Sequence, residues 1–208
     1  FAINGTLYTL VPDFSVETFA VKKSLAGNRT GWTMSEFQQF MKGMGPDVSP
    51  FGSDMLRDSF LYYMMNYCGG DFVDINTGTC NFMSDEFIAM LEYAKTLPVE
   101  FSEDYWEDYD WTMYESQYRD NKAVMLNIYM YRIADLVYNI HGTLGEEAVF
   151  IGFPGLEGNT SVIRPGSYMY GISAKSLNTE GAWEFLRYYL TEEYQSSDEL
   201  YSLPVLKS

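Results

Sequence analysis

Two kinds of chemistry-bearing side chain are concentrated in this sequence, carboxylates and aromatic rings. The carboxylates gather at Glu100, Glu103, Asp104, Glu107, Asp108 and Asp110. A pair of such groups can hydrolyse a glycosidic bond, one as acid and one as base or nucleophile. That work needs two environments that push the two pKa values apart, and a charge-rich run is read first as a solvated face. The same acids could ligate Ca²⁺, but the EF-hand spacing, with its central Gly and closing Glu, does not occur. Nucleophilic chemistry has no motif: the single histidine, His141, precedes a glycine, and there is no Gly-x-Ser-x-Gly. A phosphate-cradling Gly-x4-Gly-Lys loop is also missing from the sequence.

The aromatic residues point to binding. The chain has 18 Tyr, 14 Phe and 4 Trp in 208 residues. Sugars present apolar C–H faces ringed by hydroxyls, and flat rings with fixed hydrogen-bonding side chains hold them. Aromatics at helix spacing are core, which accounts for Phe37, Phe40, Phe60, Phe87 and Phe185. Tyr62 falls off the stripe of its own helix. The charge balance narrows the partners. Thirteen Lys and Arg against 29 Asp and Glu give a net charge of −16, a surface that repels nucleic-acid backbones and anionic lipid. No stretch is long and apolar enough to span a bilayer. Cys68 and Cys80 are too few for a zinc site. They flank an expected hairpin, as a disulfide or as two small buried hydrophobes. No cofactor is expected.

The elements that would position these residues can be read from period and punctuation. Thr6–Phe19 is extended chain interrupted at Val11-Pro12. Thr33 and Glu36 make a capping box, with Trp32 and Phe37 as its hydrophobic staple, and Phe37, Phe40, Met41 and Met44 stripe the helix that follows. A second helix is expected from about Asp54 to Tyr67, stopped by Gly69-Gly70. A hairpin should turn at Asn76-Thr77-Gly78. A third helix starts at Ser84, with Met83 and Ile88 as a staple, and closes at Pro98. The later half of 99–120 reads as helix, Ala123–Ile128 as a buried strand, and Ile133, Leu136, Val137 and Ile140 as a helix stopped by Gly142. Ala148–Phe153 is another apolar run before a Gly-rich turn over Pro154–Asn159. Tyr168–Ser173 alternates like a strand. Asn178 or Thr179 then caps a helix whose Ala182, Phe185, Leu186, Tyr189 and Leu190 form one buried stripe, with Trp183 off it. Helices alternating with short apolar strands give an α/β fold with helices packed on sheet faces.

Several stretches carry a resemblance to a known family. The run YGISAKSLNTEGAWEFLRYYLTEEYQ, followed by LPVLKS, resembles the extracellular solute-binding proteins of bacterial ABC importers, in the sugar-binding group that includes the maltodextrin-binding proteins. GWT…EF at Gly31–Phe37 and AVMLNIYMYRI at Ala123–Ile133 are similar to stretches of the same family. The resemblance implies a type II periplasmic-binding-protein-like lobe, with helices on a short mixed sheet, plus hinge strands. It divides the chain into a first hinge crossing over 1–19, a second lobe over 20–164, a second crossing over 165–176, a helical piece of the first lobe over 177–202, and the start of a third crossing over 203–208. The chain would then be a fragment of a longer secreted protein, and Phe1-Ala2-Ile3-Asn4-Gly5 reads as the inside of a domain rather than a signal peptide.

The function implied is capture of a sugar or oligosaccharide and its delivery to ABC permease subunits, without bond chemistry, by a monomer that is lipid-anchored at the cell surface or periplasmic. Aligning Gly69-Gly70 with the family's Gly-Gly puts Tyr62 at a sugar-stacking position and Ser59 at a position where relatives carry another aromatic. Tyr129 and Tyr131 stand where the family has a ligand-facing Trp, the alternative being packing under the next helix. Asp13, Phe14 and Tyr168 lie on the crossings; Asp13 reads equally as a turn residue after Pro12. Trp183 would pack in the other lobe. The rival readings are a secreted glycoside hydrolase using the acidic loop and a surface interaction domain.

Overall fold

The computed structural model describes residues 2–3, 5–53, 55–105, 107, 110–156, 158, 160–166 and 168–206. Its elements, in chain order, are β1 (Ala2–Ile3), β2 (Thr6–Leu7), β3 (Asp13–Lys22), α1 (Lys23–Ala26), α2 (Met34–Lys42), α3 (Arg57–Phe72), β4 (Val73–Asp74), β5 (Thr79–Cys80), α4 (Asp85–Ala94), α5 (Trp111–Arg119), β6 (Leu126–Met130), α6 (Ile133–Val137), which runs into a π turn over Tyr138–Leu144, β7 (Ala148–Phe150), β8 (Val162–Pro165), α7 (Thr179–Arg187), α8 (Glu192–Gln195) and β9 (Leu203–Pro204). β6, β7, β8 and β9 all pair with the long strand β3. The chain falls into two compact units. One comprises 1–17, 129–135 and 163–208, the other 18–128 and 136–162.

The larger unit is built on aromatic burial. Phe19, on β3, meets Phe51, Tyr63, Tyr67 and Phe153 at ring-centroid distances of 5.5–5.8 Å, and Phe153 lies nearly parallel to Tyr67. Phe19, Phe37, Phe60 and Phe153 are fully buried. In this unit β3 pairs antiparallel with β7, Ala20 opposite Phe150 and Lys22 opposite Ala148. Helix α2 forms where the local signal is strongest: the Thr33 side chain accepts from the Glu36 amide, Glu36 accepts from the Thr33 amide, and Trp32 packs 5.3 Å from Phe37. Lys22 is buried, and its ammonium donates to the Arg119 carbonyl (2.7 Å) and Asn121 Oδ1 (2.8 Å). It thereby closes the C-terminal end of α5, where a cation suits the unsatisfied carbonyls.

Four local expectations change here. Gly69-Gly70 do not stop α3, which continues to Phe72. Phe72 is 2 % exposed and packs edge-on against Phe87 at 4.9 Å, and this burial outweighs the roughly 1 kcal/mol that each mid-helix glycine costs. Helix α6 passes Gly142 through its π turn and ends at Gly145, whose φ of 76° supplies the left-handed cap. Cys68 is buried and Cys80 exposed, both free, so the disulfide gives way to one small buried hydrophobe and one surface thiol. Met83 is 83 % exposed and forms no buried staple for α4, which Ser84 caps instead by accepting from the Phe87 amide. The hairpin stands at the expected turn, with Val73 opposite Cys80 and Asp74 accepting from the Asn76 and Thr77 amides. The expected helix start at Asp54 lies outside the described residues, as do Asp108, the Asn159 end of the Gly-rich turn and Lys207-Ser208.

The smaller unit is held by three lengths of chain lying side by side. Leu10 and Tyr170 exchange backbone hydrogen bonds at 2.8 and 2.9 Å. The Gly166 amide donates to the Asp13 carbonyl at 2.9 Å, and β3 pairs with β9, Asp13 opposite Pro204 and Phe14 opposite Leu203. Tyr168–Ser173 is therefore not a strand: Tyr170 makes one isolated bridge, and the regular strand is β8, just before it. Asn178 caps α7 by accepting from the Gly181 amide. The α7 stripe is not buried, however. Leu186 is 9 % exposed but Phe185 is 65 % exposed, because no layer among the described residues of this unit covers that side of the helix. Trp183 lines a shallow apolar concavity of about 600 Å³ with Leu7, Leu10, Ile172, Leu186 and Leu190.

Candidate functional site

The candidate residues are placed by different elements, and each unit carries some. In the larger unit, Ser59 and Tyr62 both sit on α3. Phe60, Met64 and Tyr67 turn that helix inward, and position 62 falls outside the buried arc, leaving Tyr62 57 % exposed. Its ring meets Tyr63 edge-on at 5.8 Å. Tyr63 is fixed in turn, since Asn127 on β6 donates its amide to the Tyr63 hydroxyl at 2.7 Å. Ser59, one turn before Tyr62, is half-buried, and its backbone amide donates to Asp58 Oδ1 at 2.7 Å. The two share a helix face, as i, i+3 neighbours do.

In the smaller unit, Asp13 and Phe14 open β3. Asp13 is 4 % exposed. The passage around Gly166 lies directly on it: a Cβ at 166 would come within 1.8 Å of Asp13 Oδ1, so only glycine allows this approach. Tyr168 is 64 % exposed and heads a ladder of rings. It stacks on Tyr170 (6.0 Å, 23°), which stacks on Tyr189 (4.8 Å, 19°), which meets Tyr194 edge-on at 4.9 Å. Burial, then the hydrogen bond with Tyr189, pushes the Tyr170 phenol up to about 12, so it is a neutral hydroxyl at physiological pH. Tyr129 is 42 % exposed at the end of β6. Tyr131 is half-buried, 6.0 Å from the ring of Tyr201. In the same unit the Glu17 carboxylate is buried in an ion pair with Arg164.

Sequence reasoning missed the residue that organises this unit. Gln195 is buried, and its amide makes four hydrogen bonds. Nε2 donates to the Pro12 and Tyr189 carbonyls, both at 2.7 Å, and Oε1 accepts from the Val205 (2.8 Å) and Leu206 (3.1 Å) amides. One side chain thus ties the start of β3, the end of α7 and the segment after β9 together. Tyr170, Tyr189, Tyr201 and Arg132 were also missed. The contacts that matter join separate stretches, Tyr170 to Tyr189 and Tyr201 to Tyr131 and Arg132, and no local pattern announces them.

Among the described residues the acidic loop provides no paired environment. Glu100, Glu103, Asp104 and Glu107 are exposed. Asp110 caps α5: bonds from the Thr112 hydroxyl and amide hold its carboxyl below the usual range. Among the described residues no group of three or more His, Cys, Asp or Glu could hold a metal ion, and no helix is long and apolar enough to cross a membrane.

This arrangement of helices on a sheet threaded by one long strand is the type II periplasmic-binding-protein-like fold. The chain superposes on the sugar-binding protein MalE from Xanthomonas citri with a TM-score of 0.63 at 16 % identity, over 98 % of this chain and 54 % of that one. Maltose-bound MalE3 of T. maritima gives 0.52 at 18 % identity, over 99 % and 56 %. An ABC substrate-binding protein from Listeria monocytogenes in complex with cycloalternan gives 0.52 at 16 %, over 100 % and 55 %. The chain spans about half the length of these solved proteins. No curated protein matches it significantly. The family model for bacterial extracellular solute-binding proteins matches residues 26–196, and the chain belongs to that family, which is one of binding proteins.

Proposed function

We propose that this chain carries part of the sugar-capturing surface and the hinge of an ABC importer's solute-binding protein. The observation that carries the reading is the bonding of three separate passages, at Leu10–Asp13, Gly166–Tyr170 and Leu203–Pro204, with exposed tyrosines on the same unit. Side-by-side passages of this kind suit a joint that flexes as a body. In the whole protein, closure about the joint would bury the ligand, and a ligand drives closure only as far as it binds the closed state more tightly.

Tyr62, Tyr129, Tyr131 and Tyr168 are proposed to offer ring faces to sugar C–H surfaces, and Phe14 and Ser59 are proposed as further contacts. Asp13 is proposed as an acceptor for a sugar hydroxyl. Its burial means that a ligand reaches it only if the Gly166 passage shifts. The protein would act as a monomer without cofactor or bond chemistry, deliver its cargo to permease subunits, and be anchored by lipid at the cell surface or lie in the periplasm.

The test is a thermal-shift screen of the full-length protein against a carbohydrate panel. A ligand at a hundred times its Kd adds about 2.7 kcal/mol of stability, so a true ligand raises the melting temperature in a saturable way. A panel in which no sugar does so overturns the reading. So does turnover of an aryl glycoside that a single Asp or Glu substitution abolishes.

A further inference from the structure

The smaller unit holds one guanidinium over an aromatic ring among the described residues. Arg132 lies with its Cζ 5.2 Å from the centroid of Tyr201, and Tyr201 lies 6.0 Å from Tyr131. The other arginines of this unit are committed to carboxylates, Arg164 to Glu17 and Arg187 to Glu184. Arg132 is paired as well, Nη2 standing 3.5 Å from Asp135 Oδ1. The second oxygen of Asp135 accepts from the Tyr131 and Arg132 amides at 3.1 and 2.9 Å. The side chain of Arg132 is 56 % exposed and Tyr201 is 55 % exposed.

We propose that Tyr131, Arg132 and Tyr201 form one contact point for a neutral sugar, with the guanidinium donating to two adjacent hydroxyl oxygens. The proposal rests on the sugar-binding reading above and adds to it a residue and a chemical preference. A guanidinium has five N–H donors in a flat fork, and two adjacent hydroxyl oxygens can each accept from one prong of it. The cation–π contact with Tyr201 holds the guanidinium near the ring before any ligand arrives, which lowers the ordering cost of binding. Asp135 balances the charge, so the group offers directed donors without a net positive field. In a chain of net charge −16 that favours hydroxyls over an acidic sugar, which the chain's overall negative charge repels. The neighbouring tyrosine rings supply the apolar face on which the sugar ring rests.

The experiment is a glycan array and titration calorimetry on the full-length protein and its Arg132→Met, Arg132→Lys and Tyr201→Leu variants. Neutral gluco- and manno-oligosaccharides and oligogalacturonates serve as probes. The expected result is that wild type retains neutral glycans and that Arg132→Met binds them roughly ten- to hundredfold more weakly, the loss of hydrogen bonds from a charged donor. Arg132→Lys should recover only part of this, and Tyr201→Leu should lose less than Arg132→Met. All variants should melt at the wild-type temperature, because these side chains are exposed. Wild-type affinity should be nearly insensitive to salt. Variants that bind neutral glycans as wild type does overturn this proposal and leave the sugar-binding reading standing. Preference for oligogalacturonates, with affinity falling as salt rises, also overturns it. A wild-type protein that retains no glycan overturns both.

Discussion

Replacing Gln195 by leucine should loosen the smaller unit as a whole. Leucine has a similar volume but no polar atoms, so the Pro12 and Tyr189 carbonyls and the Val205 and Leu206 amides each lose a partner. Four hydrogen bonds at about 1 kcal/mol each, with burial of the orphaned groups opposing their rehydration, give a loss of about 3–5 kcal/mol. A chain of two units need not melt in one step, so the sensitive assay is amide hydrogen exchange. The Val205 and Leu206 amides and those of α8 should exchange far faster in the variant, while the β3–β7 ladder at Ala20–Lys22 keeps its protection. Gln195→Glu sharpens the test. An ionised carboxylate still accepts from Val205 and Leu206 but faces the two carbonyls with no proton. Burial and those carbonyl oxygens raise its pKa above the unfolded value of about 4.3. Its cost relative to wild type should be smallest below about pH 4 and grow as pH rises through the raised folded pKa. Unchanged exchange at Val205 and Leu206 in Gln195→Leu, or a Glu variant whose deficit is flat with pH, would refute the clamp.

Three further outcomes follow from the larger unit. Phe153→Ala, which removes a ring touching Phe19, Phe51, Phe60 and Tyr67, should cost about 3–5 kcal/mol in chemical denaturation. Gly69→Ala and Gly70→Ala should each stabilise by roughly 0.5–1 kcal/mol, since both lie inside α3, and an added Cβ meets only Met65 Cε at 3.6 Å in the first case and nothing in the second. With a thiol reagent at pH 8, Cys80 should react at once and Cys68 only on unfolding. Burial first, and then the nearby Asp71, pushes the Cys68 thiol up to about 12, so raising the pH to 9 should not expose it.

What the sequence disclosed was whatever is local. The Thr33–Glu36 box, the Trp32–Phe37 staple and the Asn178 cap each span four to six residues, and their geometry is set by the helix start itself. The Gly69-Gly70 and Gly142 stops failed because helix ends are decided by tertiary burial as much as by propensity, and Phe72 anchors α3 from beyond the glycines. The exposure of Tyr62 was legible from its phase on α3. Gln195 was not, because its partner at Pro12 lies 183 positions away and glutamine carries no signal of its own. The same holds for Tyr201, which acquires meaning only beside Tyr131 and Arg132. The α7 stripe was read as buried, yet Phe185 and Leu190 stay exposed: a sequence pattern states which face seeks cover and not what covers it.

The most direct measurement incubates the full-length protein with the oligosaccharide that raises its melting temperature most, then recovers and sizes the sugar. The account predicts saturable one-to-one binding, weakened by Tyr62→Ala and by Tyr168→Ala, with the sugar recovered intact. Shortened products, or binding indifferent to both substitutions, would contradict it.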